Sequence, residues 1–199
     1  MSFLKNRYTR PQPHRTIGKL FVICTEGSVT EPQYFNHFKD RWCVNIKVIK
    51  KQTASDPNSV IEAIETYIKS KGIDEEDEAW IVIDKDNWPE SHIKNITQWK
   101  EKDKRHKLAI SDPQFEYWRL MHYDIDCSGI LTSNDCATKL KSLGFTSKHF
   151  DMSKITIEVI KKAINKSRKR LQEKENDPKA KIAYTTVHLL VESLINEIK

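Results

Sequence analysis

Apolar residues in this chain fall into short continuous blocks, and between the blocks they recur at helical spacing. Residues 19–25, KLFVICT, carry Phe21 to Cys24 in an unbroken run, the signature of a strand buried on both faces. In 31–40, Tyr34, Phe35 and Phe38 repeat as on one face of a helix. Residues 44–51 alternate Val44, Ile46 and Val48, as a strand does. The stretch 55–72 has a helix-start signal at Asp56-Pro57, an apolar face of Val60, Ile61, Ile64 and Ile68, and a stop at Gly72. EAWIVID, 78–84, is a second fully buried strand. Ile93, Ile96 and Trp99 predict a helix over 89–102, a short strand follows at 106–111, and 112–123 reads as a helix with Pro113 in its first turn. Beyond residue 130 the pattern is wholly helical, with helices expected at 133–143, 153–175 and 182–198.

Alternation of strand and helix predicts an α/β fold: a Rossmann-like domain with a central, mainly parallel four-stranded sheet covered on both faces, followed by C-terminal helices. The expected organisation is a basic N-terminal arm over 1–18, the α/β domain over 19–130 and a helical extension over 131–199 packed on it.

Composition narrows the class without naming a function. The chain has 199 residues, 38% apolar and 31% charged, enough for a real core under a heavily charged surface. No apolar run approaches the roughly 20 residues of a membrane span, and the basic first residues lack the apolar core of a secretion signal, so the cytoplasm is the expected location. The four cysteines (24, 43, 127 and 136) show neither CxxC nor zinc-type spacing and read as reduced, structural thiols. A net charge of +6 is compatible with a polyanionic partner but does not require one.

Topology makes the strand ends informative. Parallel strands joined by right-handed crossovers place their carboxyl ends at one pole, and ligands bind there, where the winding direction reverses. Glu26 follows the first strand; Asp84 ends the third, with Asp86 two residues on. Gathered at one point, these carboxylates repel one another, and a hard divalent cation such as Mg²⁺ or Mn²⁺ relieves that repulsion. Two readings compete for Glu31. Ser28-x-x-Glu31 fits a capping box, and the same carboxylate could reach a second metal ion. Glu116 likewise either reaches a second metal or forms a surface ion pair with Arg119, three residues away. His122, about two turns from the expected helix start, is too far along for direct contact.

Glu26-Gly27 and Asp84-x-Asp86 resemble the TOPRIM signature of topoisomerases, primases and overcoming-lysogenization-defect nucleases. In order, CTEGSVTEPQYF, VIDKDNWP, SDPQFEYWRLMHY and YTTVHLLVE resemble the RloB-like family of bacterial proteins, over residues 24–192. The resemblance implies a TOPRIM-type nuclease subunit of anti-phage defence, acting by abortive infection and often paired with an ATPase. It makes Glu26 the general acid/base or metal-bridging carboxylate, and Asp84 and Asp86 the Mg²⁺ ligands. Asn87-Trp88-Pro89 departs from the glycine that frequently follows the TOPRIM aspartates, so the loop over the site differs. No further domain large enough for strand passage is present, which argues against DNA relaxation.

The strongest basic run, 161–181, puts Lys162, Lys166, Lys169 and Arg170 on overlapping faces of one helix. It is either a solvated helix face or a surface that tracks phosphates; without interleaved aromatics, it would contact backbone and not stack bases. Lys85 points away from its neighbouring aspartates, and Lys154 and His188 read as charge stabilisers or as members of a solvated helix face. No Ser-His-Asp or Cys-His arrangement competes as a nucleophile. Two rivals to a nuclease stand: a non-catalytic subunit that binds nucleic acid or an ATPase, and a receptor for a small phosphorylated ligand. TEGSVTEP, with one glycine and two acids, makes a poor phosphate cradle and weakens the second.

Overall fold

The computed structural model describes residues 18–49, 57–85, 89–145 and 152–198. The expected arm, apart from Gly18, lies outside these residues, as do Asp56, Asp86, Asn87 and Trp88. In chain order the elements are β1 (Phe21–Thr25), α1 (Thr30–Trp42), β2 (Ile46–Ile49), α2 (Pro57–Lys71), β3 (Glu78–Asp84), α3 (Glu90–Glu101), β4 (His106–Asp112) and α4 (Phe115–Leu120). After them come α5 (Ser133–Ser142), a 3-10 turn (Met152–Lys154), α6 (Ile157–Asn176), β5 (Tyr184–Thr185) and α7 (Val187–Asn196).

The strands form one sheet in the order β2-β1-β3-β4-β5. β1 pairs in parallel with β2 and β3, and β3 with β4, while β5 runs antiparallel at the edge. All five residues of β1 are buried, as a central strand covered on both faces requires. Pleating divides them. Phe21 and Ile23 join Trp80 and Val82 in the larger core, under α1 and α4 to α7. Val22 and Cys24 join Ala79, Ile81 and Ile83 in the smaller core, under α2 and α3. Each fully buried large aliphatic side chain contributes roughly 1.5–3 kcal/mol, so the two faces lock the sheet from both sides.

Local chemistry sets several boundaries. Pro57 opens α2, where its missing N–H costs nothing, and Gly72 closes it at φ 73°, donating to the Ile68 carbonyl at 2.8 Å. Two expectations need correction. The region after 130 is not wholly helical: Tyr184 and Thr185 add a fifth strand to the expected four, because Thr185 pairs with Ser111 and Tyr184 with Asp112. Pro113 is not in the first turn of α4. β4 runs on to Asp112, a cis peptide joins Asp112 to Pro113, and the helix begins at Phe115.

Among the described residues no helix is long and apolar enough to cross a membrane. The four cysteines are free thiols; Cys24, Cys127 and Cys136 are buried and Cys43 is exposed.

Candidate metal and nucleic-acid site

The winding direction reverses between β1 and β3, and that is where the acids meet. The β1 ladder extends one step beyond the strand, with Glu26 N–H donating to the Val82 carbonyl at 3.0 Å. Glu26 Oε2 in turn accepts the backbone N–H of Asp84 at 3.1 Å. Asp84 lies on the same pleat as Trp80 and Val82, so it faces α4, and its Oδ1 accepts the Phe115 N–H at 2.8 Å. The first amide of α4 thus fixes one oxygen of Asp84 and orients the other. Lys85, on the opposite pleat, reaches the edge of the sheet, 3.2 Å from Asp112 and over the Tyr184 ring.

Glu31 is buried at 7% exposure, and it is not half of a capping box with Ser28. The N-cap of α1 is Val29, with no side-chain cap, and Glu31 Oε1 accepts instead from the Gly27 N–H at 2.9 Å. That approach explains the glycine: a Cβ at position 27 would collide with the Glu31 carboxylate. Glu116, on α4, faces the same group of acids, and its side chain is 16% exposed. The expected surface ion pair with Arg119 is not at the surface. Arg119 is fully buried, with its guanidinium 4.0 Å from Glu116.

The electrostatics follow from this crowding. The Asp84 carboxyl is pushed up to about 9, first by burial and then by the charges of Glu31, Glu26 and Glu116. Burial also raises Glu31, and Glu116 and Glu26 add to the shift against the two backbone N–H groups that favour its charge. On α5, the buried thiol of Cys136 is pushed up to about 12 by burial, with Glu116 and Asp84 among the charges that add to it. Asp84 and Glu31 therefore hold their protons more tightly than free carboxyls do.

The donor set fits a hard cation in type and charge: carboxylate oxygens alone, with burial and neighbouring acids raising Asp84 and Glu31. Among the described residues, however, no three His, Cys, Asp or Glu side chains are arranged to hold a metal ion. Glu26, Glu31 and Asp84 each commit an oxygen to a backbone N–H.

His122 and His188 serve the packing of the core. His122 is buried, with Nε2 3.1 Å from the Tyr34 hydroxyl and Nδ1 3.0 Å from the Trp118 carbonyl, and burial pushes it down to about 4. His188 is neither a charge stabiliser nor part of a solvated face. It is a core residue, 2.7 Å from the Ser167 hydroxyl. Lys154 ends the 3-10 turn and is exposed.

The basic helix α6 is level with the acidic pole. Asp84 pairs with Ser111 and Ser111 with Thr185, whose carbonyl accepts from the Ser167 hydroxyl at 2.8 Å. Around that anchor, Lys166 donates to the Tyr123 carbonyl at 2.6 Å, and Arg170 donates to the Tyr117 hydroxyl at 3.1 Å and to Glu173 at 2.7 Å. Lys162 and Lys169 are exposed. Two of the four cations therefore pack against α4 and the turn after it, and two face outward.

Sequence reasoning missed the burial of Arg119 and the placing of Cys136 beside the acids. Both depend on α4 and α5 closing over the pole, which no local pattern announces. The family model for RloB-like proteins matches residues 21–194. The chain belongs to the RloB-like family. That match takes in every described strand and all the described acids of the site. Searches among curated proteins and among solved structures each found no match.

Proposed function

We propose that this RloB-like protein is a Mg²⁺- or Mn²⁺-dependent nuclease of the TOPRIM type, hydrolysing phosphodiester bonds in nucleic acid. The observation that carries the reading is the contact of Glu26 with Asp84 at the β1/β3 switch point, where burial and then the neighbouring acids raise Asp84 to about 9. When bound, a divalent cation supplies charge stabilisation on phosphate oxygens and an acidified water. Asp84 and Asp86 would hold it, with Glu31 and Glu116 available to a second ion. Glu26, pinned through Oε2, orients or deprotonates the attacking water. Buried Arg119 offsets part of the acidic charge, and α6 steers the polyanionic strand toward the pole. The setting we propose is the cytoplasm, as an effector of anti-phage defence by abortive infection, with an ATPase as possible partner subunit.

A second reading is a non-catalytic subunit that binds nucleic acid or an ATPase. It is favoured by one observation: among the described residues the acids do not converge three at a time on a metal position. A nuclease screen separates the two. Purified protein is incubated with single- and double-stranded DNA and RNA in Mg²⁺ or Mn²⁺, with and without the ATPase. We expect cleavage that Glu26→Gln, or Asp84→Asn with Asp86→Asn, lowers by at least about 100-fold. Cleavage at the wild-type rate by the double variant removes the nuclease assignment.

A further inference from the structure

Between α6 and the turn after α4 lies a cavity of about 220 Å³. Its wall is cationic: Lys166, Lys169 and Arg170 project from successive turns of α6. Its floor is apolar, made by Met121, Ile125 and Cys127, of which Met121 and Cys127 are buried. The acids at its margin are already engaged. Glu173 pairs with Arg170 at 2.7 Å, and Asp126 accepts from the backbone N–H and the hydroxyl of Ser128 at 2.8 and 2.7 Å. Lys169 makes no ion pair among the described residues and stands exposed at the rim.

We infer that this cavity is a nucleotide subsite for single-stranded nucleic acid: one unpaired base lies on the apolar floor, and its phosphate sits at the rim on Lys169 and Arg170. The inference rests on the nucleic-acid reading above and goes beyond it, because the cavity then contacts a base and not the backbone alone. A bare phosphate has no use for an apolar floor. A base has two apolar faces, and half-buried Ile125 offers apolar surface to one of them. The volume equals about seven waters at ~30 Å³ each, room for one base and not for a base pair. Bases are read this way only where they are unstacked and splayed out.

Position agrees with chemistry. Arg170 is tied to the hydroxyl of Tyr117, the residue after Glu116. α4 has six residues and so spans about 9 Å. The carboxylates lie at its first turn and the cavity at its last. A strand held in the cavity therefore brings a phosphate to the acidic pole two or three nucleotides away, at ~3.4 Å or more of rise each.

The test is fluorescence anisotropy in EDTA, so that nothing is cut, using a short labelled single strand of DNA or RNA and the same strand with abasic sites throughout. The intact protein should bind the base-bearing strand about tenfold more tightly than the abasic one. Ile125→Asn, which changes no charge, should abolish most of that difference, and Lys169→Glu should weaken both. Equal binding of the two strands by the wild-type protein overturns the subsite and leaves the nuclease reading standing, and it requires no variant to fold. Binding of neither strand, DNA or RNA, overturns the subsite and the nucleic-acid reading together.

Discussion

The backbone N–H of Asp84 donates a 3.1 Å hydrogen bond to Oε2 of Glu26, a residue 58 positions earlier in the chain. This contact ties the ends of β1 and β3 together at the point where the sheet reverses its winding. It also sets the electrostatic problem of the site, because it holds the Glu26 charge beside a buried acid that burial and its neighbours push up to about 9.

A pH dependence follows. An acid whose pKa is raised by folding binds its proton more tightly in the native state. Its contribution to stability is therefore full below the unfolded value, near 3.8, and is lost as pH rises, until the folded group ionises near 9. Asp84→Asn removes the titration and keeps the shape. In EDTA, the melting temperature of Asp84→Asn should gain on that of the wild type as pH is raised from about 5 to about 9. A gap that does not change with pH would show that Asp84 is not held protonated.

A Cβ at position 27 would meet the Glu31 carboxylate, which must leave its hydrogen bond with Gly27 N–H to admit it. Gly27→Ala should destabilise the protein by about 1–3 kcal/mol, as overpacking does. Glu31→Ala on the same background should recover part of that loss, a non-additivity measurable in a double-mutant cycle of urea unfolding. Additive effects would mean that the two residues do not meet.

The outward-facing cations Lys162 and Lys169 give a salt-dependent prediction. Each phosphate contact adds about 0.7–0.9 to the slope of log affinity against log salt. Replacing both lysines by alanine should therefore lower the slope for nucleic acid by about 1.4–1.8. An unchanged slope places the nucleic acid elsewhere on the protein.

Most of the sheet was legible because its central strands are covered on both faces. Phe21–Cys24 and Trp80–Ile83 are apolar runs without alternation, and a chain with such runs between helices has few other folds open to it. β5 was not legible: two residues beside a strongly apolar helix give no periodicity, and only pairing with Ser111 and Asp112 makes them a strand. The convergence of Glu26 and Asp84 was readable from topology, since parallel strands share a pole. The partner of Glu31 was not, because Ser28-x-x-Glu31 matches a capping box while the chain puts Gly27 N–H within reach instead. Arg119 and His188 look like surface residues on a helical wheel, and their burial comes from α4 and α7 packing against the sheet.

Glu26→Gln separates the architectural use of Glu26 from its chemical one. The amide oxygen can still accept from Asp84 N–H, so the melting temperature in EDTA should stay near that of the wild type. The lost charge should lower metal-dependent cleavage by at least about 100-fold. A variant that unfolds, or one that cleaves normally, would contradict this division of roles.

The central claim is that the acids at the ends of β1 and β3 jointly hold a divalent cation, and its most direct measurement is thermal melting of purified protein titrated with Mn²⁺. At a concentration 100 times the dissociation constant, binding to the folded state stabilises by about 2.7 kcal/mol. We expect a rise of several degrees for the wild type and none for Asp84→Asn. A wild-type protein whose melting temperature ignores Mn²⁺, or a variant that responds equally, contradicts it.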